Sequence, residues 1–261
     1  MVMTSSLAAL GTVVLFGLAV GSFLNVVIIR LPEGRSLWRP ASACPGCGTP
    51  LAWHDNIPVL SFVALRGRCR TCGTAISWQY PLVELVTAAA FALAWLEWGT
   101  TVDFVVAVVF LAALIAITGI DLRHRIIPNV ISVPGILAGV AASLATARVP
   151  WQDSVIGIVV GGGIFLAIIF GYALITGVEG MGLGDVKLGA MLGAFLGWKA
   201  LLVALFAGIL LGGTLASALL AAGGIGRKDA IPFGPFLAVG GVIGLFWGGR
   251  VVAWYVSGFA D

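Results

Sequence analysis

Asp121, in GIDLRHRIIPN, and Asp185, in GMGLGDVKLG, each stand at the end of an apolar stretch that otherwise excludes charge. An ionised carboxylate at the centre of a bilayer costs about 2.5–3.5 kcal/mol, so an acid retained in or beside a spanning helix marks a functional position. Two carboxylates in contact cannot both ionise cheaply; they share one proton and titrate as a pair. Aspartyl hydrolysis needs that state. One carboxylate takes a proton from the attacking water while the other, protonated, polarises the scissile carbonyl, with neither a metal nor a covalent intermediate. A plainer reading stands beside this one, in which each aspartate is a helix-end residue paired with nearby Arg125 or Lys187.

A second chemistry is written in the polar stretch 30–80, which holds all four cysteines as CPGC (Cys44, Cys47) and CRTC (Cys69, Cys72). Two C-x₂-C knuckles separated by 21 residues supply four thiolates to a tetrahedral zinc, and Gly46, Gly48 and Gly73 suit the tight turns of such knuckles. Two disulfides are the rival reading, disfavoured in a reducing compartment. Four sulfur ligands leave no open position, so this zinc is structural and staples about fifty residues that have little core of their own. His54 is read as a surface residue and not a fifth ligand.

The elements that must position these groups are membrane helices. The chain is 60% hydrophobic and only 10% charged, with a mean hydropathy of +1.11, against about 25% charged in ordinary soluble proteins. Eight apolar segments are expected near 7–29, 81–98, 103–120, 129–147, 154–176, 185–198, 200–222 and 233–256. The fold class is therefore all-α and polytopic, with about eight transmembrane helices and a small zinc-ribbon-like domain between the first and second. The sixth segment spans only about 21 Å at about 1.5 Å per residue, so it either starts deeper than the headgroups or leans on its neighbours. The first lacks basic residues at its start and is followed by Arg30 and Arg35, which reads as a retained helix with its N-terminus outside.

Alternating from there, the loops assigned to the cytoplasm carry Arg30, Arg35, Arg39, Arg66, Arg68, Arg70, Arg123, Arg125, Lys187, Arg227 and Lys228, eleven of the fourteen basic residues. The net charge of +3 thus reports orientation and implies no nucleic-acid partner. Both aspartates open on the cytoplasmic side and can meet if segments three and six pack together. Gly189, Gly193 and Gly197 follow Asp185 at steps of four, a flat ridge where a neighbouring backbone can approach. Gly240, Gly244 and Gly248 repeat the pattern with no acid attached. Gly177, Gly180, Gly182 and Gly184 indicate irregular backbone before Asp185, tolerated at that depth where it lines water or protein. Pro128 starts a helix after a tight re-entry over Ile126 to Asn129, and Arg123, His124 and Arg125 read as interface anchors.

GSFLNVVIIRLP, the cysteine pairs around NIPVLSF, ISWQYPLVE, GIDLRHRIIPN, GMGLGD and PFGPFLAVGG occur in that order. Together they resemble the bacterial type IV prepilin peptidases of the GxGD aspartyl class, nearly end to end. The resemblance implies that Asp121 and Asp185 are the catalytic pair and that the substrates are prepilins or type II pseudopilins. Their short basic leader would be cut at the cytoplasmic face of the inner membrane, typically after a glycine. It further implies N-methylation of the new N-terminal residue, commonly phenylalanine, with S-adenosylmethionine, an activity associated with the cysteine-bearing domain. The domains are then 1–29, a first transmembrane helix; 30–80, the four-cysteine zinc domain; and 81–261, a seven-helix protease domain.

Nothing in residues 30–80 carries a glycine-rich strand-to-helix turn, so the residues of the methyl-donor site stay unassigned. Asn25 and Glu84, polar groups in apolar surroundings, either help hold donor or substrate or make interhelical hydrogen bonds. Gln79 stands where a basic residue is frequent in the family. Two other classes compete with the protease: an ion-coupled carrier using the aspartates as a proton relay, and a noncatalytic assembly scaffold. Carriers tend to hold their acids near the midplane, whereas both aspartates adjoin loops. Oligomeric state has no signature here.

Overall fold

The computed structural model describes residues 2–177, 182–223 and 231–258. Every extended element among them is a helix: α1 Val2–Arg30, α2 Leu60–Ala64, α3 Gln79–Trp98, α4 Val102–His124, α5 Asn129–Ala145, α6 Trp151–Thr176, α7 Leu183–Ala221 and α8 Gly234–Ser257. Six of these, α1, α3, α4, α6, α7 and α8, are long and apolar enough to cross a bilayer. The chain is an all-α polytopic membrane protein.

The sixth and seventh expected segments are joined end to end in α7, whose 39 residues are broken at Gly197 (φ 70°, ψ 163°). Only glycine adopts that backbone without strain, and a Cβ there would also press on Val149 Cγ1 at 3.0 Å. The break frees carbonyls of the preceding turn, and Ser154 Oγ donates to one of them, the carbonyl of Ala194, at 2.8 Å. The first arm is short, yet every residue from 188 to 197 is buried. Protein rather than lipid surrounds it, so it need not match the bilayer thickness. Arg227, Lys228 and Gly180 lie outside the described residues.

Two compact units divide the chain, Met1–Ala116 and Ile117–Asp261. The division falls inside α4. In the first unit α1 packs on α3 through Gly17 and Gly21, whose absent Cβ atoms would lie 2.7 Å from Ala88 Cα and 2.6 Å from Glu84 Cα. Close backbone approach through small residues is how helices associate where lipid removes the hydrophobic drive between them.

In the second unit α7 is the hub, with α5, α6 and α8 against it. The glycine ridge after Asp185 meets α6, not the third segment as expected: Gly193 faces Gly157 and Gly189 faces Gly161, carbonyl to backbone. Spacing showed that a backbone could approach but not which one. On the second arm, Gly240, Gly244 and Gly248 of α8 seat against Ala200 and Ala204.

A side chain at the α6 crossing has nowhere to go. Gly193→Val should destabilise the protein by about 1–3 kcal/mol or more, read as a lowered Tm in detergent, whereas Gly163→Ala, whose Cβ meets nothing within 4 Å, should leave Tm unchanged or raised.

Candidate active site and metal centre

Asp121 sits in the last turn of α4 and is 5% exposed. The helix closes when the N–H of Arg125 bonds the carbonyl of Asp121 at 2.9 Å, with Arg125 in the left-handed region at φ 54°. Pro128 is extended (φ −68°, ψ 128°) and starts α5 at Asn129. Asp185 lies in the first turn of α7, after an extended Gly182.

Three contacts gather these turns. An added Cβ on Gly184 would lie 3.0 Å from that of Ile127, and Lys187 Nζ donates to Asn129 Oδ1 at 2.7 Å. From the far end of the chain, the N–H of Gly234 donates to Oδ2 of Asp121 at 2.9 Å. A Cβ on Gly234 would fall 2.6 Å from that same oxygen, so only glycine lets the amide come this close. Phe233 and Phe236 flank Gly234 and seat on Gly212 of α7, which fixes where the amide points. These contacts bring the turns that carry Asp121 and Asp185 together at one end of the second unit.

Pairing with Arg125 or Lys187 is not what holds them. Among the described residues no ion pair includes either aspartate, Lys187 is spent on Asn129, and Arg123, His124 and Arg125 face outward. Sequence reasoning missed Gly234 and Asn129 as neighbours of the pair. The only signal was a glycine between prolines at a helix start, which ordinarily means a turn.

The cysteines form a second constellation, in the first unit. Each knuckle is closed by a β-bridge, Ala43 to Pro50 and Arg68 to Ala75, and the two repeat each other bond for bond. The N–H of Cys44 bonds the Thr49 carbonyl at 3.0 Å and that of Cys69 the Thr74 carbonyl at 2.8 Å. Gly48 (φ 72°) and Gly73 (φ 71°) make equivalent left-handed turns. Gly46 serves differently, as a Cβ there would lie 2.6 Å from Thr74 Oγ1 in the opposite knuckle.

All four cysteines are free thiols, and their sulfur atoms lie within 4.8 Å of one another. The Cys44 to Cys72 separation is 3.7 Å; tetrahedral bonds of about 2.3 Å require edges of about 3.8 Å. The four sulfurs could hold a metal ion. The Thr74 hydroxyl and amide, bonding its sulfur, bring Cys72 down to about 6. Cys44, despite amide hydrogen bonds from Cys47 and Gly46, is pushed up to about 11 by burial and by the sulfurs of Cys69 and Cys47, a penalty that a bound cation reverses. His54 stays outside the cluster, edge-on to Trp53. Arg70, beside Cys69, grips Asp55 through Nη2 at 2.7 Å and Nε at 3.0 Å, holding that carboxyl below its usual range.

Asn25 and Glu84 are buried, at 1% and 6% exposure, and both are satisfied within the first unit. Asn25 Nδ2 donates to the Tyr80 carbonyl at 3.1 Å and Oδ1 accepts from Gln79 Nε2 at 3.3 Å. Glu84 Oε2 accepts the N–H of Val59 at 2.8 Å. These are the interhelical and loop-tethering bonds of the plainer reading.

Residues 15–98 match the bacterial peptidase A24 N-terminal domain, and residues 108–217 match the type IV leader peptidase family. A prepilin leader peptidase/N-methyltransferase of Aeromonas salmonicida (strain A449) is 38% identical over 274 residues, 94% of this chain and 93% of its own. The chain belongs to the type IV leader peptidase family. Within that family, similarly named relatives include one of Aeromonas hydrophila, 39% identical over 95% of this chain and 93% of its own. One of Myxococcus xanthus (strain DK1622) is 47% identical over 73% of this chain and 57% of its own. The cysteine knuckles fall in the first matched region and both aspartates in the second. No solved structure matches the chain. The carrier reading has no support among these leader peptidase relatives.

The four-sulfur arrangement predicts one bound metal per chain on elemental analysis of the purified protein. Exchange of Cys44 and Cys72 for serine should reduce it below about one tenth, because two ligands cannot close a tetrahedral site.

Proposed function

We propose that this protein removes the leader peptide from type IV prepilins and type II pseudopilins with the Asp121 and Asp185 pair, and then N-methylates the exposed N-terminal residue. The observation that carries the reading is the convergence of two acids, one of them held by the Gly234 amide, at one end of a helix bundle. Membership of the leader peptidase family, and relatives whose names join leader peptidase to N-methyltransferase, support both halves.

In this mechanism Oδ2 of Asp121 is committed to the Gly234 amide, so the proton shared by the pair lies among the remaining carboxyl oxygens. One carboxylate accepts a proton as water attacks the scissile carbonyl; the other donates a hydrogen bond to the carbonyl oxygen, which becomes the oxyanion. The resulting gem-diol collapses as the leaving amine gains a proton, and the new N-terminus is released. Gly182, extended just before Asp185 and with room where a side chain would stand, lets an extended substrate backbone come close.

A prepilin carries a basic leader in the cytoplasm and an apolar helix in the bilayer, so its cleavage point lies at the boundary. Acids at the ends of α4 and α7 meet it there without extracting that helix. We assign this end to the cytoplasmic face of the bacterial inner membrane, with the N-terminus outside, on the bias of basic residues toward those loops. The Cys44, Cys47, Cys69 and Cys72 site is assigned to zinc, since an all-thiolate tetrahedral set in a reducing compartment suits that ion. It would act structurally, holding the knuckles together. S-adenosylmethionine is the methyl donor in this reading.

Asp121→Asn and Asp185→Asn should each abolish cleavage of a purified prepilin in detergent while Tm and elution stay those of the parent, with mass spectrometry reading the product. Full activity in either variant removes the dyad. Gly234→Ala, which pushes a methyl group against Asp121 Oδ2, should lower the cleavage rate about 10²-fold, the scale of a displacement near 1 Å at a reacting group.

A further inference from the structure

Between α2 and the start of α3 the first unit contains a recess of about 540 Å³ whose walls include Val59, Phe62, Arg66, Arg68, Trp78 and Pro81. Its size is within the range of small-molecule sites, about 300–1,000 Å³. Three features set it apart from an ordinary gap beneath a loop.

Strain gathers on its wall. Among the described residues only Val59, Arg66 and Arg125 have positive φ without being glycine, and the first two line this recess. Val59 (φ 61°, ψ −47°) is the centre of a γ-turn, closed by the N–H of Leu60 on the Pro58 carbonyl at 2.6 Å. That conformation is rare and costly for a β-branched residue, and such residues cluster at ligand clamps where the surroundings hold them in place. The holder is visible. Glu84, buried in α3, accepts the Val59 N–H, which gives this intramembrane carboxylate a task the hydrolytic mechanism does not supply.

The lining is two-sided. Phe62 and Trp78 form an aromatic pair with ring centroids 4.8 Å apart, and Trp78 remains 75% exposed, leaving a broad ring surface open. Phe62 is seated on Gly67, where a Cβ would lie 3.1 Å from the ring. Arg66 and Arg68 reach the same recess from the surface, and among the described residues neither has a carboxylate partner. An aromatic platform with two guanidinium groups free of carboxylates suits a ligand with a flat heteroaromatic body and an anionic end.

We infer that this recess is the methyl-donor site: the adenine of S-adenosylmethionine lies on Trp78 and Phe62, and the amino-acid carboxylate pairs with Arg66 and Arg68. The inference rests on the methylation reading above and deepens it. In the transfer, the lone pair of the new N-terminal amine forms a C–N bond as the methyl–sulfur bond breaks. The sulfonium leaves as the neutral thioether, and the nitrogen gives up one proton to solvent. Glu84 is a positioning residue in this scheme, acting through the Val59 turn.

Binding of S-adenosylhomocysteine to the full-length protein in detergent, by calorimetry, tests the site. Arg66→Gln, Arg68→Gln and Trp78→Ala alter exposed side chains, and Tm and elution report that each variant is folded. Each should bind about tenfold more weakly, as expected for a lost charge-assisted or stacking contact. The KM for the donor should rise while kcat for methylation changes little, and Arg68→Lys and Trp78→Phe should restore part of the affinity. If the parent binds and methylates but all three variants keep its Kd, the donor lies elsewhere and the inference is overturned. It fails equally if Kd is unmoved and only the phosphatidylglycerol retained on purification falls, which makes the recess a lipid site. A parent protein that neither binds nor methylates refutes the methylation reading itself, leaving leader cleavage standing.

Discussion

Two carboxyl groups brought to one end of a bundle of apolar helices resist the arrangement twice, by mutual repulsion and by loss of solvent. The rest of the second unit answers that resistance. The first arm of α7 is clamped to α6 through glycines so closely that backbone meets backbone, and interfaces of this kind cannot yield by small side-chain adjustments. Asp185 rides on the helix against which α5, α6 and α8 pack. Asp121 arrives from α4 and is met by an amide from α8, an element more than a hundred residues further along the chain.

Gly197 lets both demands be met by one helix. An unbroken α7 of 39 residues would extend about 58 Å at about 1.5 Å per residue, far more than the roughly 30 Å hydrocarbon core. The break lets the first arm pack on α6 and the second receive α8, so that the amide of Gly234 and the carboxyl of Asp185 are referred to the same element. Glycine serves three purposes in this unit: contact at 157, 161, 189 and 193, a bend at 197, and access to a carboxylate at 234.

The first unit solves a different problem. Residues 30–78 hold little regular structure beyond α2 and a 3₁₀ turn at Trp53–Asn56, so polar ties replace a core. Two matching knuckles bring four sulfurs together, the Asp55–Arg70 fork binds the 3₁₀ turn to the second knuckle, and Glu84 reaches from α3 to the Val59 turn. Gln79 works here as a donor to Asn25.

Composition and motif order by themselves determined the class of the molecule and its helical segments and singled out the two aspartates and the four cysteines as candidates, because each depends on residue type and on spacing along one segment. Helix-period glycine ridges were legible as surfaces of close approach for the same reason. Which surface met which was decided only in three dimensions: the ridge after Asp185 took α6 in place of the third segment, and two expected segments became one broken helix. Neither Gly234 beneath Asp121, nor Asn129 on Lys187, nor the strained turn held by Glu84 could be read in advance. Each is a contact between stretches far apart in sequence, and local periodicity carries no information about the depth or rotation at which distant helices dock.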